Sequence, residues 1–308
     1  MKKMFMAVIA IMMTLSASAQ FYIYYSDGTV AKVDSISMVA PEESEEPTPS
    51  AGIGVFSVSD SKQVTFSKGN LQYTQSTDTW SFADVQWDYI GVDNVTGGEV
   101  TSDPKYGDKR YGNALGDIID LFGWSGSTGS AEFGVSTSKN ENDYSGSFVD
   151  WGTNQIGADA PNTWRTLTFD EWEYLLNNRA RAYSRKGIAQ VNGVNGLVLL
   201  PDDWKCPEGI IFKSGFSSDY SIEAYGQYQT FTPDQWSKLE AAGAVFLPAA
   251  SGYRYGFGVS EVLKISLYWS ATEIDGNEAY CLYIYSDEVV MGDEFRETGM
   301  SVRLVKDL

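Results

Sequence analysis

The sequence predicts an α+β fold: a small mixed sheet with two helices and long irregular loops, preceded by a short N-terminal β-hairpin. Three observations predict it. Apolar and polar residues alternate with period two in many short runs, which is the pattern of half-buried strands. Two Thr-x-x-Glu/Gln signatures indicate helix starts. Residues 92–163 are dominated by Gly, Ser, Asp and Asn, which indicates irregular structure.

The first 40 residues predict a targeting segment and a hairpin. Lys2 and Lys3 precede a short apolar run, and small residues ending at Ala19 form a cleavage site, so residues 1–19 are predicted to be a signal peptide. Asp27-Gly28 separates two alternating runs and predicts a β-hairpin over residues 20–40. Because a lone hairpin is only marginally stable in water, we expect it to dock on the main domain or on a neighbour.

An acidic, Pro-rich stretch over residues 41–54 predicts a linker, and the main domain then covers residues 55–308. No Cys follows the cleavage site and no later run is long and apolar enough to span a bilayer. We therefore expect a secreted or cell-surface protein with no transmembrane segment. The net charge of −19 argues against nucleic acid as a partner.

The two helices of the main domain are predicted to begin after Thr168 and Thr232, where Glu171 and Gln235 complete capping boxes. Near the C-terminus, residues 268–272, 279–285 and 300–305 are predicted to be neighbouring strands of one sheet. Loops at 273–278 and 286–299 are expected to join them. The irregular region is expected to be held in place by its aromatic residues, Phe122, Trp124, Phe148, Trp151 and Trp164.

The chain contains no histidine, which excludes Ser-His-Asp and Cys-His catalysis and His-ligated zinc. Its only cysteines, Cys206 and Cys281, fall in predicted core strands. A disulfide between them and two buried, unreactive thiols are both consistent with the sequence.

Three groups of residues have two interpretations each. The oxygen-rich segment from Glu273 to Glu278 suits either a calcium ion or an ordinary solvated turn. Tyr280, Tyr283 and Tyr285 suit either an aromatic platform or core packing, with Tyr280 on the opposite strand face from the other two. Arg303 suits either anion binding or a structural hydrogen bond.

The motif Tyr268-Trp269-Ser270-Ala271-Thr272-Glu273, followed by Gly299-Met300-Ser301-Val302-Arg303-Leu304-Val305, resembles the C-terminal signature of bacterial C-type-lectin-like domains. These domains are related to the formylglycine-generating (sulfatase-modifying-factor) fold. The same motifs resemble those of a paralogous group of exported surface proteins from Bacteroides-type gut anaerobes. The resemblance covers most of residues 55–305 and implies a C-type-lectin-like fold for that region.

The resemblance also implies that the segment between the two motifs forms much of the ligand-facing surface. By position, the contact candidates are Glu273, Asp275, Asn277, Tyr280, Asp287, Asp293, Glu294, Phe295 and Arg296. Trp124, which lies among glycines and serines, is a further candidate. The calcium-binding tripeptides of animal lectins and the close cysteine pair of the formylglycine-generating enzymes are absent from the sequence, so neither a metal nor a cofactor is expected.

The leading hypothesis is an exported, non-catalytic binding or adhesion module that presents a ligand surface on its C-terminal loops. Its ligand would be a glycan or an extracellular protein. One alternative is an enzyme, either of the formylglycine-generating type or a carboxylate-only hydrolase. Another is a structural surface or fimbria-like subunit whose hairpin pairs onto a neighbour. The sequence does not determine the oligomeric state.

Overall fold

The computed structural model describes residues 21–24, 30–33, 54–89, 118–124, 126–135, 138, 140–250, 252–254, 258–260 and 263–308. The predicted signal peptide (1–19) and residues 41–53 of the predicted linker lie outside these ranges. The chain consists of two units, Met1–Thr48 and Pro49–Leu308. In the first unit, two strands pair antiparallel with Phe21 opposite Val33.

The described residues are β-rich, with few helices. The strands are β1 (Phe21–Tyr24), β2 (Val30–Val33), β3 (Phe56–Ser57), β4 (Gln63–Phe66), β5 (Leu71–Thr74), β6 (Thr79–Phe82), β7 (Ile118–Ile119), β8 (Lys186–Val191), β9 (Val194–Leu199), β10 (Thr230–Phe231), β11 (Val245–Pro248), β12 (Gly252–Arg254), β13 (Gly258–Ser260), β14 (Ser266–Glu273), β15 (Glu278–Ile284), β16 (Val289–Phe295), β17 (Gly299–Met300) and β18 (Val305–Asp307). The α-helices are α1 (Phe169–Glu173), α2 (Ala224–Tyr228) and α3 (Pro233–Ala241).

Helical structure of other kinds is short. Residues Tyr174–Asn178 form one turn of π-helix directly after α1. The 3₁₀ turns are Gln75–Thr77, Glu132–Gly134, Glu141–Tyr144, Trp151–Thr153 and Ala182–Arg185. Among the described residues, no helix combines the length and apolar character needed to cross a lipid bilayer.

The fold is α+β, but its strands form several small sheets instead of one. In the second unit the sheets, in strand order, are β10-β8-β9-β11, β13-β12-β17, β14-β15-β16, β18-β4-β3 and β6-β5-β7. Most pairs are antiparallel, and β10 runs parallel to β8. The sheets are small because short strands are repeatedly interrupted by turns.

Both predicted capping boxes are confirmed. The Thr168 hydroxyl accepts from the Glu171 amide, and the Glu171 carboxylate accepts from the Thr168 amide, so two otherwise unpaired N–H groups are satisfied at the start of α1. Thr232 and Gln235 make the same pair of bonds at the start of α3. Helix α2 was not predicted, because its first residue follows Glu223, which makes no capping bond.

The prediction that residues 286–299 form a loop is wrong, because strand β16 lies within them. Seven residues of β16 pair with β15, from Glu278 opposite Phe295 to Ile284 opposite Val289. A Cβ atom on Gly292 would come within 2.8 Å of the Tyr283 ring. Because Gly292 has no side chain, that ring packs directly against the backbone of β16. Pairing with a neighbouring strand decides this element, although its Gly, Asp and Glu residues are poor strand formers.

The three predicted C-terminal strands do not all share one sheet. Residues 266–295 form β14-β15-β16, whereas β17 pairs with β12 and β18 pairs with β4. The two motif regions meet at a parallel bridge, in which the Trp269 amide donates to Ser301 O and the Ser301 amide donates to Leu267 O. The two motifs are therefore neighbours within one unit.

Three apolar clusters form the interior. The first contains Phe56, Trp172, Leu197 and Ile284; the second contains Trp80, Phe122, Trp269 and Cys281; and the third contains Trp236 and Phe246. All five aromatic residues predicted to hold the irregular region in place belong to the second cluster or pack against it: Phe122, Trp124, Phe148, Trp151 and Trp164. That prediction is confirmed.

Candidate ligand-binding surface

Strand β15 separates a buried face from a partly open one. Tyr280 points toward α1, where its ring lies 4.4 Å from that of Phe169, and Leu282 and Ile284 on the same face join the first apolar cluster. Tyr283 lies on the other face. The predicted opposite orientation of Tyr280 and Tyr283 is confirmed, as the period-two geometry of a strand requires.

On the open face, three tyrosines form a continuous tyrosine row of Tyr283, Tyr285 and Tyr220. The rings of Tyr283 and Tyr285 are stacked, with centroids 5.8 Å apart and planes 16° apart. The ring of Tyr220 meets that of Tyr285 at 65°, with 5.6 Å between centroids. Tyr220 is 44% exposed, and Val290, which lies opposite Tyr283 in the sheet, is 43% exposed.

The phenols of Tyr283 and Tyr285 are neutral hydrogen-bonding groups. Burial, reinforced by neighbouring acidic groups, raises the pKa of Tyr285 to about 12 and holds the pKa of Tyr283 well above its ordinary value. The Tyr283 hydroxyl shares its single proton between Glu294 Oε1 at 3.0 Å and Asp293 O at 3.1 Å, which fixes the ring against β16. Two fixed aromatic rings offer contact area at a small entropic cost to a ligand.

Charged groups border the tyrosine row. Asp287 and Glu288 are exposed in the turn between β15 and β16. The Lys264 ammonium lies 4.6 Å above the Tyr220 ring, within the range of a cation–π contact. The surface therefore combines an apolar aromatic centre with polar groups at its edge, which is typical of binding surfaces.

At the opposite end of β15, the turn containing Glu273, Asp275 and Asn277 is exposed but well organised. Asp275 Oδ1 accepts from the amides of Asn277 and Glu278 at 2.8 and 3.0 Å, and these bonds lower the pKa of Asp275. The bonds are those of an Asx turn. Within the described ranges, no group of three or more Cys, Asp or Glu side chains is placed to hold a metal ion.

Two of the predicted ligand contacts, Trp124 and Arg296, are buried, so those predictions are wrong. Trp124 is fully buried, and its indole N–H donates to Ser270 O at 2.8 Å. The Arg296 guanidinium lies 4.2 Å above the Trp124 ring and is 2% exposed. It donates to Gly146 O at 2.7 Å, to Glu273 Oε2 at 3.1 Å and to Asp275 O.

The other predicted contacts are accessible to different degrees. Asp293 is exposed and Phe295 is 40% exposed, whereas Glu294 is half-buried beside Tyr283. Sequence reasoning missed Tyr220 and Val290. Tyr220 lies 65 residues before Tyr285, so no local pattern joins them. Val290 was missed because β16 was predicted to be a loop.

Cys206 and Cys281 are free thiols. The prediction that both lie in core strands is wrong for Cys206, which is exposed in an irregular segment after β9. Cys281 is fully buried in β15, and burial raises the pKa of its thiol. A raised pKa disfavours the thiolate, which is the reactive form, so Cys281 is a poor nucleophile.

Arg303 has a structural role. Its guanidinium is 2% exposed and donates to Gln86 Oε1 at 2.7 Å and to Asn70 Oδ1 at 3.4 Å. Burial lowers the pKa of Arg303 to about 10. Of the two interpretations from the sequence, the structural hydrogen bond is the one observed.

Comparison of the chain with family models, with curated proteins and with solved structures found no match.

Proposed function

We propose that this chain is an exported, non-catalytic binding module whose ligand, a glycan or an extracellular protein, contacts the tyrosine row. The observation that carries the proposal is the partly open face of β15 and β16, where Tyr283, Tyr285 and Tyr220 are in continuous ring contact. Tyrosine combines a large apolar ring with a polar tip, which suits recognition of either class of ligand.

The packing of the sheet beneath the tyrosine row is consistent with a role in ligand binding. The buried face of the same sheet packs on α1 and on the first apolar cluster, so the rings are carried by a rigid element. Sites built on rigid elements hold their contact groups more accurately than sites on loops. The resemblance to C-type-lectin-like domains supports the same proposal, with the contact surface on paired strands instead of on loops.

A binding screen tests the proposal. The full mature chain would be applied to a glycan array and to a panel of extracellular proteins, with and without a chelator. We expect at least one specific ligand, whose binding falls at least about tenfold in Tyr285→Ala and in Tyr220→Ala, because central aromatic contacts carry most binding energy.

The matched control is Tyr183→Ala. Tyr183 is 82% exposed and lies in a 3₁₀ turn outside the tyrosine row. Its loss should leave binding unchanged. Equal binding by all three variants, or no ligand in either panel, would reject the proposal.

A further inference from the structure

A cleft of about 520 Å³ lies between the β5–β6 hairpin and the turn at residues 156–159. It shares no residue with the tyrosine row. The turn is joined to β6 by the Gly157 amide, which donates to Trp80 O at 2.8 Å, and it is closed by the Asp159 amide, which donates to Ile156 O at 3.0 Å. The volume of the cleft is in the range of small-molecule and side-chain binding sites.

Two aromatic walls line this cleft. The rings of Phe82 and Trp164 meet at 76° with centroids 5.1 Å apart, and both residues are half-buried. The Trp164 indole N–H donates to Asp159 Oδ2 at 2.9 Å, which fixes the ring and the carboxylate relative to each other. Within the described residues, Asp159 Oδ1 makes no hydrogen bond.

The charge in the cleft is negative overall. Lys68 and Asp84 form an ion pair at 2.9 Å, and their side chains are 58% and 95% exposed. An exposed pair of this kind contributes little energy and rearranges easily. With those two charges offset, the Asp159 carboxylate remains as the net charge beside the aromatic walls. Gln72, whose amide N–H₂ donates to Asp120, adds a polar group at the side.

We infer that this cleft binds an organic ammonium group. Aromatic ring faces carry a negative quadrupole and attract cations, and an adjacent carboxylate adds a direct charge interaction. A cation also approaches this chain favourably, since the net charge is −19. An anion would instead meet the unpaired carboxylate charge of Asp159. A purely apolar ligand would have to desolvate Asp159 without replacing its interactions with water.

Two kinds of ligand carry an organic ammonium group: a small quaternary ammonium compound, and a lysine side chain of a protein. Calorimetric titration of the full mature chain distinguishes them. The probes are choline, tetramethylammonium and N-acetyl-lysine amide, with 3,3-dimethylbutanol as an uncharged probe of the same shape as choline. We expect millimolar or tighter binding of the charged probes and at least about fivefold weaker binding of the alcohol, as a cation–π contribution predicts.

Variants test the assigned residues. Asp159→Asn keeps an acceptor for the Trp164 indole and removes the charge, and it should weaken binding of the charged probes at least about fivefold. Trp164→Leu should abolish binding. Trp204→Leu, which changes a half-buried tryptophan outside the cleft, should bind the charged probes as the unchanged chain does.

Three results would overturn the inference: no heat from any charged probe, equal affinity for choline and the alcohol, or unchanged affinity in Asp159→Asn. If Trp164→Leu does not fold, Asp159→Asn decides. Tighter binding of choline identifies a small-molecule site, and tighter binding of the lysine amide identifies a protein side chain. A negative result here does not affect the proposed function, because the cleft shares no residue with the tyrosine row and the binding screen uses different ligands.

Discussion

The two ends of the β14-β15-β16 sheet are built differently. At one end, Arg296 lies over Trp124 and donates to backbone carbonyls on two separate segments, at Gly146 and Asp275, so the adjoining turns are tied together. At the other end, Tyr285 and Tyr220 are in ring contact with each other and remain partly open to solvent.

The Arg296 end of the sheet therefore holds the fold together, and the Tyr285 end presents side chains to solvent. A buried guanidinium with several acceptors fixes the backbone, and its removal takes away several charge-assisted hydrogen bonds at once. An exposed ring contributes little to folding, so substitutions there change what the surface contacts without unfolding the chain. The variants below test this difference by the free energy of unfolding. It should fall most for substitutions at the Arg296 end and least for substitutions at the Tyr285 end.

The largest effect is expected for Arg296→Ala. It removes the donors to Gly146 O, Asp275 O and Glu273 Oε2 and the contact with the Trp124 ring. We expect the free energy of unfolding to fall by about 3 kcal/mol, since hydrogen bonds from a charged group contribute about 1.5–3 kcal/mol each. Denaturant unfolding followed by tryptophan fluorescence measures it.

Arg296→Lys should restore little of that stability, because an ammonium cannot reproduce the planar fork that reaches several acceptors at once. Lys205→Ala, a change of an exposed cation in an irregular segment, is the control and should change the free energy by less than about 0.5 kcal/mol. If Arg296→Ala unfolds at the same denaturant concentration as Lys205→Ala, then Arg296 does not stabilise that end of the sheet.

The sequence correctly predicted the features that depend on residues close together in the chain. The starts of α1 and α3 were predictable because each capping box is complete within four residues, and the opposite faces of Tyr280 and Tyr283 follow from strand geometry. Arg296 was misassigned because its partners lie up to 150 residues away. Tyr220 was missed for the same reason. Long-range packing therefore decided which residues of the C-terminal segment support the sheet and which are displayed.

The next effect concerns pH, at the far end of the helical segment that packs behind the sheet. Lys186 is 3% exposed and donates to Leu176 O and to Asn177 Oδ1. Burial, and then the charge of Arg179, lowers the pKa of Lys186 from 10.5 to about 8. Between these two values the unfolded chain binds more protons than the folded chain, so this group makes stability rise with pH.

We expect the free energy of unfolding of the unchanged chain to rise by about 2 kcal/mol relative to Lys186→Met between pH 8 and pH 10, as the shift in pKa requires. Well below pH 8, where Lys186 is protonated in both the folded and the unfolded chain, the difference between the two should be constant. Parallel denaturant series across this range measure it, and the comparison with Lys186→Met cancels other titrating groups. A difference that falls as pH rises would show that Lys186 is not held in a desolvated position.

A smaller effect is expected at the start of α1, which supports the buried face of the sheet through Phe169. The Phe169 amide donates to Thr272 Oγ1 at 3.0 Å, and its ring contacts Tyr280. Thr168→Ala removes the hydroxyl that caps this helix and should lower the free energy of unfolding by about 1 kcal/mol. Thr168→Ser keeps the hydroxyl and should recover most of that loss in the same denaturant measurement.

The smallest effect on folding is expected at the open end, for Val290→Lys. Val290 is 43% exposed beside Tyr283, so the free energy of unfolding should change by less than about 0.5 kcal/mol. Binding of the ligand found by the array or protein panel should nevertheless fall, because a hydrated ammonium now stands against the aromatic contact area. Val85→Lys, at a valine that is 37% exposed elsewhere, should leave both quantities unchanged. A loss of stability in Val290→Lys equal to that of Arg296→Ala would mean that this end of the sheet is tied like the other, and that the tyrosines there are packing residues.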